Sequence, residues 1–156
     1  MKKVLFISST GGHLSELLQL QKIYNQYDYH IITERTKSNK SLEKKFPNRV
    51  SFLKYGTKHK LIPYLFVFPY NILKSFYFFI KFHPNVIVTT GAHTCVPICY
   101  IAKLFRRRIV YIETFANIDS KTLTGKLIYP IADLFIVQWE EMLALYPKAK
   151  YGGWIY

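Results

Sequence analysis

The first 20 residues contain the feature that most constrains the fold. An apolar run, Val4–Ile7, ends in the small residues of Ser8–Gly12, and His13 then precedes a helical pattern that begins at Leu14. Glycines between a strand and a helix let the backbone approach a ligand, and the first N–H groups of the helix point at it. The segment therefore predicts a site for a phosphate or diphosphate. Its spacing matches neither GxGxxG nor a Walker loop, so neither dinucleotide nor ATP binding follows.

Strand-like and helix-like segments alternate along the chain. Little polar alternation occurs within the apolar runs, as expected for parallel strands that are covered on both faces. We predict an α/β fold, a doubly wound and mostly parallel Rossmann-like sheet, in a single domain over residues 1–156. The predicted strands are Val4–Ser8, His30–Thr33, Val50–Lys54, Val86–Thr90, Ile109–Glu113 and Leu134–Gln138. The predicted helices between and after them are Leu14–Tyr27, Ser38–Phe46, Thr94–Phe105, Leu123–Ala132 and Glu140–Tyr146.

Two loops that each contain glycine and histidine are expected to meet. Sheets of this kind bind ligands at the carboxyl ends of their strands, where the strand order reverses. With the usual order 3-2-1-4-5-6, the first and fourth strands are neighbours at that point. The loop Thr10–His13 would then face the loop Thr90–Thr94, and Glu113 at the end of the fifth strand would lie near the same crevice.

Three residues at this crevice could take part in chemistry. His13 is the leading candidate for a general base, which must reach the hydroxyl it activates and titrate near neutrality; the alternative is capping or binding without proton transfer. Glu113 could orient a hydroxyl, pair with a histidine or pair with a basic residue. His93 could contact a phosphate, or have no role. No carboxylates cluster at the spacing of metal ligands, so we expect no metal site.

The net charge of +13 implies an anionic partner, which could be nucleic acid, acidic lipid or a phosphorylated substrate. Residues 61–82 approach the length of a bilayer span, but Pro63, Pro69, Asn71 and Lys74 interrupt them, and both ends are basic. They could lie in the membrane interface with their aromatic side toward lipid, span the membrane, or cover the sheet as an ordinary core helix. The preceding segment Arg35–Lys60 has nine Lys or Arg and one acid. It could be a solvated basic face or a patch that meets anionic phospholipid, and its position beside an aromatic-rich segment favours a membrane over nucleic acid.

Several motifs make the chain resemble a known family. Phe6–Leu20 resembles the opening of the acceptor domain of GT-B glycosyltransferases. Tyr111–Thr114, Leu123–Tyr129 and Asp133–Trp139 closely resemble the small membrane-anchored subunit of the eukaryotic dolichol-linked N-acetylglucosaminyltransferase, and bacterial capsule and exopolysaccharide proteins of the same type. Thr90–Pro97 looks like the second loop of that family.

The resemblance implies that this chain is the N-terminal, acceptor-binding half of a split GT-B enzyme. A separate small catalytic subunit would bind the UDP-sugar, so no cofactor is expected on this chain alone. The acceptor would be a saccharide on a polyprenyl diphosphate at the cytoplasmic face of the membrane. In the bacterial members the transferred sugar is typically a hexose, often galactose. Because the first strand starts at Lys3, we expect no membrane helix before it and a peripheral contact through residues 35–82 or through the partner.

The family's functional residues fall on named positions of this sequence. Besides the catalytic candidates His13 and Glu113, the two loops would supply acceptor or diphosphate contacts from Ser9, Thr10, Gly11, Gly12, Gly91, His93 and Thr94. The tail resembles the part that docks the catalytic subunit, although it could instead fold back on its own domain; its residues are Tyr151, Gly152, Gly153 and Trp154. The competing hypothesis is a basic nucleotide- or nucleic-acid-binding module without a transferase role, but the chain lacks any nucleic-acid motif.

Overall fold

One seven-stranded sheet organises the chain, and every pair of neighbouring strands in it is parallel. The computed structural model describes residues 1–56 and 61–155, without the side chains of residues 61–64. The strand order is β3-β2-β1-β4-β5-β6-β7. The strands are β1 Lys3–Ile7, β2 Asp28–Arg35, β3 Val50–Lys54, β4 Val86–Thr89, β5 Arg108–Ile112, β6 Leu134–Val137 and β7 Lys150–Tyr151.

Helices connect the strands and lie on both faces of the sheet. The α-helices are α1 Gly12–Gln19, α2 Gln21–Tyr24, α3 Leu42–Lys45, α4 Leu61–Phe82, α5 Val96–Leu104 and α6 Leu123–Ile128. Two 3₁₀ helices cover His93–Cys95 and Glu140–Ala144. The helix predicted for Leu14–Tyr27 is in fact two helices that meet at Leu20, and the segment predicted for Glu140–Tyr146 is a 3₁₀ helix. The two-residue strand β7 was not predicted.

Alternate residues of β1 enter two different cores. Leu5 and Ile7 are completely buried on the side of α4 and α5, where Phe78 of α4 joins them. Phe6 packs on the other side, against Leu17 of α1. Because successive side chains of a strand point to opposite faces, the apolar run of β1 fills both layers at once. This explains why the run shows no polar alternation.

Helix α4 buries one face and exposes the other. Phe78 and Phe79 are buried in the core, whereas Phe66 and Leu73 are 77% and 72% exposed. Among the described residues, no helix is both long enough and apolar enough to cross a membrane. The helix therefore has the inward face that a core helix needs, together with a second apolar face turned to the outside.

The strand order places the switch point between β1 and β4, as the sequence predicted. The two strands pair from Val4 with Val86 to Ile7 with Thr89, so they end side by side. Residues 9–13 (loop 1) and residues 90–94 (loop 2) follow these ends directly. The parallel fold thus brings the two glycine- and histidine-containing loops to one edge of the sheet.

Candidate functional site

Loops 1 and 2 are joined by reciprocal hydrogen bonds. The Nδ1 atom of His13 lies 2.7 Å from the carbonyl oxygen of Thr90, and the Thr90 hydroxyl donates to the carbonyl oxygen of His13 at 2.6 Å. A third bond runs from the Ser9 N–H to the carbonyl oxygen of Gly91, at 3.1 Å. The two loops therefore form one platform at the carboxyl edge of β1 and β4.

The bond to Thr90 fixes the tautomer of His13. A carbonyl oxygen can only accept, so Nδ1 of His13 must carry the proton. In the neutral ring, Nε2 is then the nitrogen with a lone pair, which is the atom that could take a proton from a hydroxyl. The side chain of His13 is 27% exposed, so the ring is held by the platform and still accessible.

The start of α1 is open to a ligand. No side chain caps this helix, and Gly11 before it has a φ of 80°. A Cβ placed on Gly11 or Gly12 would meet no atom within 4 Å, so the backbone faces open space there. Unpaired N–H groups and the helix dipole favour an anion at such a terminus. Gly11, Gly12 and the His13 ring thus border the same accessible region.

Gly91 of loop 2 is closely surrounded by side-chain atoms of Tyr111 and His13. It has a φ of 94°, and a Cβ there would lie 3.3 Å from the Tyr111 hydroxyl and 3.4 Å from Cε1 of His13. A side chain at this position would strain the backbone and press on the His13 ring. Loop 2 therefore needs glycine here to keep its close contact with loop 1.

Glu113 follows β5 and is buried, with 1% of its surface exposed. Its Oε1 atom accepts from the Thr114 N–H at 3.0 Å, from the Thr122 hydroxyl at 3.0 Å and from the Tyr111 hydroxyl at 3.3 Å. Its Oε2 atom accepts from the Tyr146 hydroxyl at 2.9 Å. Of the three roles considered from sequence, orientation of a hydroxyl is the one that matches these contacts, and the hydroxyls are the protein's own.

This carboxylate organises the end of the sheet around β5. Burial, and then the charge of Glu113, raise the pKa of Tyr111 and Tyr146 above the usual tyrosine range, so both hydroxyls remain donors. A Cβ on Gly125 in α6 would collide with Glu113 Oε2 and with the Tyr146 hydroxyl. Helix α6 can therefore approach the carboxylate only because residue 125 is glycine.

We expect Glu113→Gln to lower the free energy of unfolding by about 2 kcal/mol, because hydrogen bonds to a charged acceptor are replaced by bonds to a neutral amide. Denaturant unfolding monitored by circular dichroism measures the change. Glu141→Gln, at an exposed position, serves as the control and should leave stability unchanged. Unchanged stability in the Glu113 variant, together with loss of sugar transfer, would instead support the predicted catalytic role of Glu113.

Sequence reasoning missed Glu16, which lies in α1 and is 2% exposed. Its Oε1 atom accepts from the Thr114 hydroxyl at 2.9 Å and from the Phe115 N–H at 2.8 Å. Its Oε2 atom lies 4.0 Å from Nδ1 of His13. Burial raises the pKa of the Glu16 carboxyl, and the bonds from Phe115 and Thr114 partly oppose that effect. The three-residue spacing from His13, which puts both on one face of a helix, was the signal available.

A second buried acid, Glu34 near the end of β2, was also missed and is 1% exposed. Its Oε2 atom accepts from the Thr10 N–H at 3.4 Å, and its Oε1 atom lies 3.6 Å from Nε2 of His93. The available signal was an acid near the end of β2, the strand that pairs with β1 beside loop 1. The platform is therefore flanked by two buried carboxylates, each beside a histidine.

The other predicted loop residues also lie at this edge. The Ser9 side chain is buried and its hydroxyl donates to the Thr10 carbonyl oxygen at 3.3 Å. The Thr10 hydroxyl lies 3.4 Å from the hydroxyl of Thr36, which follows β2. Thr94 is 5% exposed. The structure thus brings the residues of both predicted loops together, and their contact with a ligand stays a prediction.

The C-terminal tail folds back on its own domain, which was the alternative to docking a partner. Strand β7 pairs with β6, and the N–H of Ile155 donates to Gln138 Oε1 at 3.1 Å. The ring centroid of Trp154 lies 5.3 Å from that of Phe115 and 5.1 Å from that of Trp139. Trp154 nevertheless remains 59% exposed, so the tail presents an aromatic surface at the same edge as loops 1 and 2.

The other tail residues allow this path. Gly153 has a φ of 69°, a conformation that favours glycine, and a Cβ on Gly152 would lie 2.6 Å from Cγ2 of Ile136. Tyr151, at the end of β7, is 50% exposed. Whether these residues meet a second protein stays a prediction.

The fold resembles part of the solved structure of MurG. The chain superposes on MurG from Acinetobacter baumannii with a TM-score of 0.71 at 14% sequence identity, and the match covers 90% of this chain and 43% of MurG. At this identity the likeness shows the fold alone. It agrees with the predicted equivalence to one GT-B domain, and this chain spans less than half the length of that solved structure.

The sequence defines the family. Residues 4–155 match the family described as "Oligosaccharide biosynthesis protein Alg14 like", and the chain belongs to it. It is 32% identical over 174 residues to UDP-N-acetylglucosamine transferase subunit alg14 of Schizosaccharomyces pombe, which covers 97% of this chain and 82% of that protein. It is 43% identical over 77 residues to the corresponding subunit of Kluyveromyces lactis, a match to 46% of this chain and 33% of that protein.

Proposed function

We propose that this chain is the acceptor-binding and membrane-recruiting subunit of a two-component glycosyltransferase. A separate catalytic subunit supplies a UDP-sugar, and the acceptor is a saccharide linked to a polyprenyl diphosphate. The observation that carries the proposal is the platform in which His13 and Thr90 join two loops beside an uncapped helix start. Membership of a family whose relatives are named as transferase subunits supports it.

The diphosphate of the acceptor is assigned to the platform. Gly11 and Gly12 expose backbone to open space at the start of α1, which suits phosphate oxygens. His93 adds a partly exposed imidazole at the same edge. Hydrogen-bond donors that face an anion from fixed positions hold it without rearranging when it binds.

His13 is assigned the role of general base. The Thr90 carbonyl holds the proton on Nδ1, so Nε2 accepts the proton of the acceptor hydroxyl. That oxygen bonds to the anomeric carbon of the donor sugar, while the bond from this carbon to UDP breaks and UDP leaves. The nearby carboxylate of Glu16 stabilises the imidazolium that results. Glu113 is then a positioning residue, because its buried oxygens are engaged by the protein's own donors.

The two groups of similar proteins point to different donor sugars. The resemblance to bacterial polysaccharide proteins suggests a hexose such as galactose, transferred in capsule or exopolysaccharide synthesis. The names of the S. pombe and K. lactis relatives specify N-acetylglucosamine as the sugar of those enzymes. The identity of the sugar is decided by the catalytic subunit, which we place against the tail around Trp154 and Tyr151.

The membrane contact is assigned to the outer face of α4. Its exposed apolar side chains recur at helical spacing, and we call them the aromatic face: Leu65, Phe66, Leu73, Phe76, Tyr77 and Ile80. Lys74 and Lys81 flank this face, where their ammonium groups lie 5.5 Å from the ring centroid of Tyr70 and 5.9 Å from that of Tyr77. An apolar stripe between lysines suits the interface of an anionic membrane. We infer from this face a peripheral association with the membrane, and we propose its cytoplasmic side from the resemblance to the family.

The double variant Phe66→Ser, Leu73→Ser should bind vesicles containing phosphatidylglycerol at least tenfold more weakly than the wild type. Burying each of these side chains in lipid contributes roughly 1–2 kcal/mol, and both are exposed, so the fold is retained. Flotation with vesicles measures the partition. Ile23→Ser, an exposed apolar residue in α2, is the control and should bind as the wild type does. Equal binding by the double variant would rule out the aromatic face.

Sugar transfer should require both subunits. We expect the full chain, co-expressed with the small transferase encoded by a neighbouring gene, to transfer sugar to a polyprenyl-diphosphate-linked saccharide. His13→Ala should lower kcat roughly 100-fold or more, as general bases contribute about 10²–10⁴, while the two proteins still co-purify. A panel of UDP-galactose, UDP-glucose and UDP-N-acetylglucosamine identifies the donor.

The control for this experiment is His83→Asn, which lies after α4 at the opposite edge of the sheet and has a φ of 45° that asparagine tolerates. It should leave transfer unchanged. Transfer by this chain without a partner would contradict the split enzyme, and full turnover by His13→Ala would exclude the base.

A further inference from the structure

Unpartnered polar atoms concentrate around the platform. Among the described residues, five buried side-chain oxygens at this edge lack a hydrogen-bond partner: Ser8 Oγ, Glu16 Oε2, Thr33 Oγ1, Glu34 Oε1 and Thr94 Oγ1. Buried polar groups are ordinarily satisfied, so a cluster of exceptions calls for a functional explanation. The carboxylate oxygens of Glu16 and Glu34 are the most demanding of them, because a carboxylate oxygen is costly to bury without a positive or hydrogen-bonding neighbour.

The geometry points to Glu34 as a positioning residue for the acceptor site, and we propose that it holds His93 as a cationic contact for the diphosphate. This inference rests on the proposed function and adds to it a residue that reaches the ligand only through another. Glu34 Oε1 faces Nε2 of His93 at 3.6 Å, an ion-pair distance that is too long for a good hydrogen bond. Glu34 is almost fully buried, whereas the side chain of His93 is 32% exposed.

Glu34 and His93 differ in exposure, so one side chain lies inside the protein and the other reaches the surface. The carboxylate stays inside the protein, and the imidazole lies between it and the region in front of loop 2. A protonated His93 satisfies the buried oxygen on one side and presents positive charge to a phosphate on the other. Without the carboxylate, the ring would lose the contact that orients it.

The same carboxylate also fixes loop 1. Its second oxygen, Oε2, accepts from the N–H of Thr10. The neighbouring turn after β2 is held separately, because Asn39 donates from Nδ2 to the Glu34 carbonyl oxygen at 2.6 Å and accepts from the Thr36 N–H at 3.0 Å. The Glu34 carboxylate therefore contacts both loops: Oε2 binds the Thr10 N–H of loop 1, and Oε1 faces His93 of loop 2. Its side chain thus sets the distance between the loop 1 backbone and His93.

The test measures the binding of geranyl diphosphate, a water-soluble prenyl diphosphate, to the full chain by calorimetry. Glu34→Gln keeps the shape and an oxygen for the Thr10 N–H but removes the charge that faces His93. We expect it to bind at least tenfold more weakly, and His93→Ala to lose a similar factor. The double variant of Glu34 and His93 should bind no more than threefold more weakly than His93→Ala alone, because the acid acts through the histidine.

A second double-mutant cycle, which pairs Glu34 with His13 instead of His93, provides the matched comparison. Glu34→Gln combined with His13→Ala should lose the product of the two single effects, since His13 has its own acid in Glu16. Glu43→Gln, an exposed acid paired with Arg35, should leave the affinity unchanged. Thermal unfolding checks that Glu34→Gln folds; if it is destabilised, His93→Gln, at the partly exposed end of the pair, carries the same expected tenfold loss.

The possible results distinguish a wrong role for Glu34 from the absence of a prenyl diphosphate site. If the wild type binds geranyl diphosphate and Glu34→Gln binds equally well, or if the effects of Glu34→Gln and His93→Ala multiply, the positioning role is wrong while the acceptor site stands. If the wild type binds no prenyl diphosphate, the proposed function fails, and the role of Glu34 that rests on it fails too.

Discussion

The reciprocal hydrogen bonds between His13 and Thr90 are the interaction on which the rest of the site depends. They connect loops that are 77 residues apart in the chain and that meet only because β1 and β4 pair in parallel. The same bonds set the tautomer of the imidazole and hold its ring beside Gly91, which has no side chain to displace it. The fold therefore determines how the two loops meet, and the contact between the loops determines which nitrogen of the His13 ring carries the proton.

Much of this arrangement could be predicted from the sequence because it follows from local patterns. Apolar runs such as Val4–Ile7 show little alternation, which indicates parallel strands buried on both faces, and the order around β1 then follows from the usual topology. The predictions that failed also have physical reasons. Strand β7 has two residues and so carries no periodic signal, and the break at Leu20 between α1 and α2 leaves the apolar pattern of the helix uninterrupted.

The loops of the site were predictable, but the groups behind them were not. Glu16 and Glu34 acquire their roles from contacts with Phe115 and His93, which come from other strand ends, so the local sequence around each acid does not show these roles. Glu113 was singled out by its position at the end of the fifth predicted strand, and only the fold shows that hydroxyls from distant elements surround it. The tail likewise gives an aromatic signal in sequence, yet its packing on its own domain with Trp154 still exposed appears only in three dimensions.

The central claim is that a prenyl diphosphate binds at the carboxyl edge of this sheet, between loops 1 and 2. Two-dimensional ¹H–¹⁵N NMR of the 18.4 kDa chain, titrated with geranyl diphosphate, tests it most directly. The amide signals of Gly11, Gly12, His13 and Gly91 should shift together and saturate. Shifts confined to the amino edge, where Lys3, His30 and Arg49 line a cavity of about 150 Å³, would contradict it.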